Sequence, residues 1–141
     1  MWRAGFFALA GLLQSAAAEF PHDLPGAEVI ALFEGHAMAG AYADGTAFRE
    51  AYEQGGHISY WDPRGSVTGK WSVRNDLLCT FYDNGMSGGC FRIARLSVNC
   101  FDFYAVTTSE EEAMAPGPRR DYTARGSLDN AKSTCPDELQ A

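Results

Sequence analysis

From Val67 to Val73 the chain alternates. Val67, Gly69, Trp71 and Val73 fall on one face, and Thr68, Lys70 and Ser72 on the other. A period of two reads as a β-strand with one face turned to a core. Similar short segments recur along the middle of the chain, punctuated by turn residues. Strands are expected over 38–42, 46–52, 57–61, 67–73, 77–82, 90–95 and 98–106. Between them lie Asp44-Gly45, Gln54-Gly55-Gly56, Asp62-Pro63-Arg64-Gly65, Arg74-Asn75-Asp76 and Asn84-Gly85. Asp44-Gly45 and Asn84-Gly85 suit a type I′ hairpin turn, whose two central residues both need positive φ. This spacing predicts a mostly β fold: an antiparallel meander of about seven strands, as a small barrel or a sandwich.

The flanks have a different texture. Leu24 to Gly35 reads as one short N-terminal helix, with Pro25 near its start, Glu28 complementing the dipole and Gly35 as a stop. Val29, Leu32 and Phe33 give it an apolar face. From Thr107 onward, Ser109-Glu110-Glu111-Glu112 and Pro116-Gly117-Pro118 read as a partly extended tail over 107–141. A last strand is expected at Asp121 to Arg125 before Cys135.

The first residues predict a secretory signal peptide over 1–18. Arg3 precedes an apolar run from Ala4 to Leu13, and Ala16 and Ala18 supply a small-x-small cleavage pattern. That run is about half the roughly 20 residues a membrane span needs. The remaining 19–141 reads as a single β-rich domain with no membrane span. The chain carries 11 basic and 18 acidic side chains, for a net charge of −7. An acidic balance without a basic stripe argues against nucleic acid or an anionic membrane surface as partner.

Four cysteines, Cys79, Cys90, Cys100 and Cys135, lie beyond the signal segment. In an exported chain an even count makes disulfides the default, and a periplasmic or secreted location follows. Centring the hairpin on Asn84-Gly85 sets Cys79 opposite Cys90, within bridging reach. Cys100 then pairs with Cys135. Counting outward from a two-residue turn puts Cys79 and Cys90 on a hydrogen-bonded pair, the wider of the two sites. The ten residues between these cysteines do not match a C-x-x-C redox motif.

Candidate chemistry is sparse. No G-x-S-x-G elbow is present, and the three histidines, His22, His36 and His57, lack neighbours at metal-ligand spacing. Nothing in the pattern asks for a cofactor or a metal. Glu50, Glu53, Asp62, Asp83 and Asp102 lie near strand ends and are read as solvated. The aromatic residues are more suggestive, since Tyr60-Trp61 and Phe101 to Tyr104 put rings on both faces of a strand. A one-sided core does not use them all, and the surplus points to a ligand or partner.

At Gly69-Lys70-Trp71-Ser72-Val73, Cys79, Tyr82, Cys90-Phe91 and Cys100 the chain resembles a proteobacterial exported family known only as domain of unknown function 995. The resemblance runs from about Leu24 to Tyr104 and takes in Leu32-Phe33-x-Gly35 and Tyr42-x-Asp44-Gly45. It implies an exported, disulfide-containing β-rich protein and brings no activity or catalytic residues. Gly69-x-Trp71 is also similar to the lipocalin signature, which opens the first strand of that barrel and here falls mid-meander.

The expected function is non-catalytic: binding a small apolar or aromatic ligand, or an envelope protein, with Tyr60, Trp61 and Trp71 as contacts. One alternative is a small hydrolase using His57 with Glu53 or Asp62 as the carboxylate. Another is an envelope-associated structural factor with a flat apolar patch.

Overall fold

A computed structural model of the protein describes Gly11 and residues 19–85, 88–106 and 122–137. The signal segment (Gly11 apart), the hairpin tip at 86–87 and residues 107–121 of the tail lie outside the described residues. The elements run β1 (His22–Asp23), α1 (Gly26–Phe33), β2 (His36–Tyr42), β3 (Ala47–Tyr52), β4 (His57–Asp62) and β5 (Gly65–Arg74). They continue as β6 (Leu77–Tyr82), β7 (Gly89–Ser97), β8 (Cys100–Ala105) and β9 (Ala124–Leu128). Strands β2 to β9 follow one another antiparallel around a closed up-and-down barrel, and β9 seals it by pairing with β2. The expected meander of about seven strands, with the last strand expected near Arg125, is therefore a barrel of eight, and closure rules out the sandwich. β1 is an extra strand on β7, with His22 opposite Arg95 and Asp23 opposite Ala94.

Inward positions follow the period of two. Met38, Phe48, Tyr52, Ile58, Tyr60, Trp71, Leu78, Ile93, Phe101, Phe103, Ala124 and Leu128 form one buried cluster. Helix α1 plugs the end where β2 begins. The Phe33 ring sits 5.3 Å from Tyr52 and 5.2 Å from Phe101, and Val29 is fully buried beside it. The helix is shorter than expected, because Pro25 holds the N-cap at φ −61° and Gly35, at φ +81°, turns the chain into β2.

The hairpins keep the expected register but not the expected turns. Asp44 and Asn84 are not left-handed; only Gly45 and Gly85 have positive φ. At the first site Gly45 N–H donates to Tyr42 O and Tyr42 N–H to Thr46 O, a three-residue loop closed by a left-handed glycine. The two-residue turn with both φ values positive is at Asn75 (48°) and Asp76 (62°), between the paired Arg74 and Leu77. Asp76 is held there because its Oδ1 accepts from Gly26 N–H at 2.8 Å, linking the turn to the start of α1.

Two glycines let the barrel bend. A Cβ on Gly69 would lie 2.0 Å from the Phe81 carbonyl oxygen, and one on Gly40 would lie 2.0 Å from that of Arg125. Both positions face inward, where tight coiling of neighbouring strands leaves no room for a methyl group. Gly69→Ala is expected to cost about 3 kcal/mol and to lower the thermal midpoint by roughly 15 °C. Gly89→Ala is the control. Its Cβ would meet nothing nearer than Phe91 Cζ at 3.9 Å, so its midpoint should hardly move.

Both disulfides form as paired above. Cys79–Cys90 spans 4.0 Å between Cα atoms, and Cys100–Cys135 spans 4.8 Å. The hydrogen-bond phase differs from the count. Cys90 O accepts from Val106 N–H, towards β8, so the cysteines sit on the narrow, non-hydrogen-bonded site of the β6–β7 ladder. The two bridges suggest an oxidising, extracytoplasmic setting. No helix among the described residues is long and apolar enough to cross a membrane.

Candidate functional site

The barrel interior is nearly full. A cavity of about 20 Å³ between Tyr42, Phe48, Glu50 and Phe103 has room for a single water molecule. Beside it lies a polar cluster that the alternation concealed. Glu50 is buried, and its carboxylate accepts from the hydroxyls of Tyr52 and, at 2.8 Å, Tyr82. Further toward the open end, Tyr60 donates to Asp62 Oδ2 at 3.0 Å and shares a hydrogen bond of 2.8 Å with the Tyr42 hydroxyl. Asp62 is completed by Arg64, whose Nη2 lies 2.8 Å from Oδ2. Glu50, Asp62 and Asp102 are thus buried, not solvated as the sequence suggested.

Burial pushes the Glu50 carboxyl up, against the pull of its two tyrosine donors. The hydrogen bonds from Arg64 hold Asp62 down at about 2. The two acids therefore act oppositely on stability. Below about pH 4 Glu50 is protonated in both folded and unfolded chains, and nothing is lost. As pH rises, the unfolded chain ionises first, and this contribution falls until the folded carboxyl also ionises. Asp62 contributes above about pH 4 and loses its contribution as pH falls toward 2. Glu50→Gln removes the first effect only. The variant's stability relative to the parent should rise from pH 4 to neutrality, which urea titrations at several pH values would read.

The sequence-expected contact residues do not share one site. Trp71 is buried in the core, with its indole N–H donating to Glu53 O at 2.9 Å and its ring 5.6 Å from Tyr52. Tyr60 points inward. Trp61, next along β4, stands on the outer wall and is 47% exposed. Only Trp61 and Tyr60 border a common space, a groove of about 600 Å³ on the outside of β3 to β6. Two cross-strand rows build this groove. Arg49, Trp61 and Ser66 form one, and Ala51, Ser59 and Thr68 the next. Asp83 bounds it beyond β5, accepting from the Thr68 hydroxyl at 3.0 Å. A third row of His57, Lys70 and Phe81 follows, with Phe81 53% exposed. Alternation placed Thr68 and Lys70 on this outer face; it could not foresee that small side chains line up across three strands and leave a trough.

The hydrolase geometry is not assembled. His57 and Asp62 stand at opposite ends of six-residue β4, about 16 Å apart along the strand. Glu53 and His57 are both exposed, and among the described residues no hydrogen bond joins their side chains. The described residues contain no group of three or more metal-ligating side chains. A second groove, about 590 Å³ outside β2 and β9, offers Arg125 as its cation, already committed to Asp102. No protein-family model matches the chain, and no curated protein matches it.

Proposed function

We propose that this is an exported, non-catalytic binding protein that takes its small ligand on the outside of the barrel, in the trough in front of Trp61. One observation carries the reading: a half-exposed indole borders a groove of about 600 Å³, against about 20 Å³ for the cavity between Tyr42, Phe48, Glu50 and Phe103 inside the barrel. Binding grooves for small molecules commonly fall between roughly 300 and 1,000 Å³. The ligand presents a flat apolar face to Trp61, as the aromatic surplus in the sequence suggested. Tyr60 borders the same wall from the inward face of β4, and Trp71 belongs to the core. Export through the segment 1–18 to the periplasm or the medium belongs to the same reading, as does the resemblance to domain of unknown function 995.

Trp61→Ala is the test. The indole is half-exposed, so its loss should cost about 1–2 kcal/mol and leave the protein folded. A screen of small organic molecules, followed through the backbone amide resonances of Ser59 and Thr68 in the groove, should give hits that disappear in the variant. Hits that instead move Phe48 and Tyr42, and survive Trp61→Ala, would place binding inside the barrel and overturn the proposal.

A further inference from the structure

The trough has a polarity that narrows the chemistry of what fits it, granted that ligands bind in front of Trp61. Adjacent strands lie about 4.8 Å apart, so β3 to β6 spans roughly 14 Å. Arg49 stands at the β3 side, directly opposite Trp61. It makes no ion pair among the described residues, on a chain of net charge −7. At the β6 side stands Asp83, whose Oδ2 holds Thr68 while Oδ1 has no protein donor among the described residues. Between them the floor bears the hydroxyls of Ser59 and Ser66, neither with a hydrogen-bond partner among the described residues.

Each feature selects. A purely aromatic ligand would stack on Trp61 but would cover the Ser59 and Ser66 hydroxyls without pairing them, at a desolvation cost. A ring bearing hydroxyls on its edge and C–H bonds on its face satisfies both wall and floor. The guanidinium of Arg49 matches a carboxylate in a two-pronged, charge-assisted geometry. Asp83 accepts from ligand hydroxyls at the far end. We infer that the trough is a saccharide site, specific for a sugar ring carrying a carboxylate, with Trp61 stacking on the ring, Arg49 holding the acid and Asp83 accepting from the hydroxyls.

The experiment titrates the disulfide-bonded protein with glucuronate, glucose and benzoate while following the Trp61 indole N–H and, in every variant, the backbone amides of Ser59 and Thr68. Glucuronate should bind with a dissociation constant on the order of 1 mM and about tenfold more tightly than glucose. Arg49→Gln should abolish that difference and leave glucose binding unchanged. Asp83→Asn should weaken both sugars, and Trp61→Ala should remove both. Glucose binding as well as glucuronate would overturn the inference. So would benzoate binding more tightly than glucuronate, which would leave the Trp61 site standing with a different ligand class. No perturbation of Trp61 by any of the three would overturn the saccharide and the site together.

Discussion

Reduction of both disulfides is expected to unfold the protein at about 37 °C. On the chain-entropy view the Cys79–Cys90 bridge, with a sequence separation of 11, contributes about 3 kcal/mol, and Cys100–Cys135, with a separation of 35, about 4 kcal/mol. Their sum is comparable to the whole stability of a small domain, about 5–15 kcal/mol. The second bridge also has a specific mechanical role. It ties the segment after β9 to the start of β8, where buried Asn99 binds the same segment. The Asn99 amide donates to Leu128 O at 2.9 Å and Ala131 O at 3.1 Å, and accepts from Leu128 N–H at 2.9 Å. Without the bridge, β9 keeps its ladders to β2 and β8 and the Asn99 clamp but loses its covalent tether, and its release would bare the edges of β2 and β8. Cys100→Ser with Cys135→Ser should therefore be worse than Cys79→Ser with Cys90→Ser. Circular dichroism against urea for the two double variants would order them. Equal midpoints would mean that β9 does not depend on its tether.

The contrast between β6–β7 and β9 shows what the sequence could carry. Asn84-Gly85 and the two cysteines fixed one register from two independent cues. That register survived although only Gly85 is left-handed and the bridge lies on the narrow site. Strand β9 had no such cue. Its inward residues are Ala124, Gly126 and Leu128, and a glycine stands where alternation calls for bulk. The reason is a neighbour far away in sequence: a Cβ on Gly126 would meet Met38 Sδ at 2.7 Å. The expected last strand at Asp121 to Arg125 accordingly lies upstream of the observed Ala124–Leu128. Glu50 was concealed for a similar reason. Phe48-x-Glu50-x-Tyr52 does alternate, but only the folded barrel brings Tyr82 within 2.8 Å of the carboxylate to make burial tolerable. Trp61 and Trp71 looked alike in sequence; one faces solvent and the other packs in the core against Tyr52.

Arg125→Ala should cost about 4 kcal/mol, far more than removal of the buried Arg92. Arg125 grips Asp102 at both oxygens, with Nε 2.6 Å from Oδ1 and Nη2 3.0 Å from Oδ2. The Asp102 side chain is 2% exposed, so loss of the guanidinium leaves a carboxylate that water cannot reach. Arg92 differs in kind. Its partner Asp23 is 43% exposed and would be solvated once released. Arg92 itself buries Nε and Nη2 without acceptors among the described residues, offset in part by its position 4.4 Å above the Tyr104 ring. Arg92→Met removes those unpaired donors with the charge, and its cost should be below about 1 kcal/mol. The cause can be isolated in a double-mutant cycle: in an Asp102→Asn background, Arg125→Ala should lose most of its penalty. Urea midpoints at unchanged slope would measure all four proteins. A full penalty persisting in that background would assign the effect to the Arg125 stacking on Tyr122, at 4.2 Å, and not to the stranded charge.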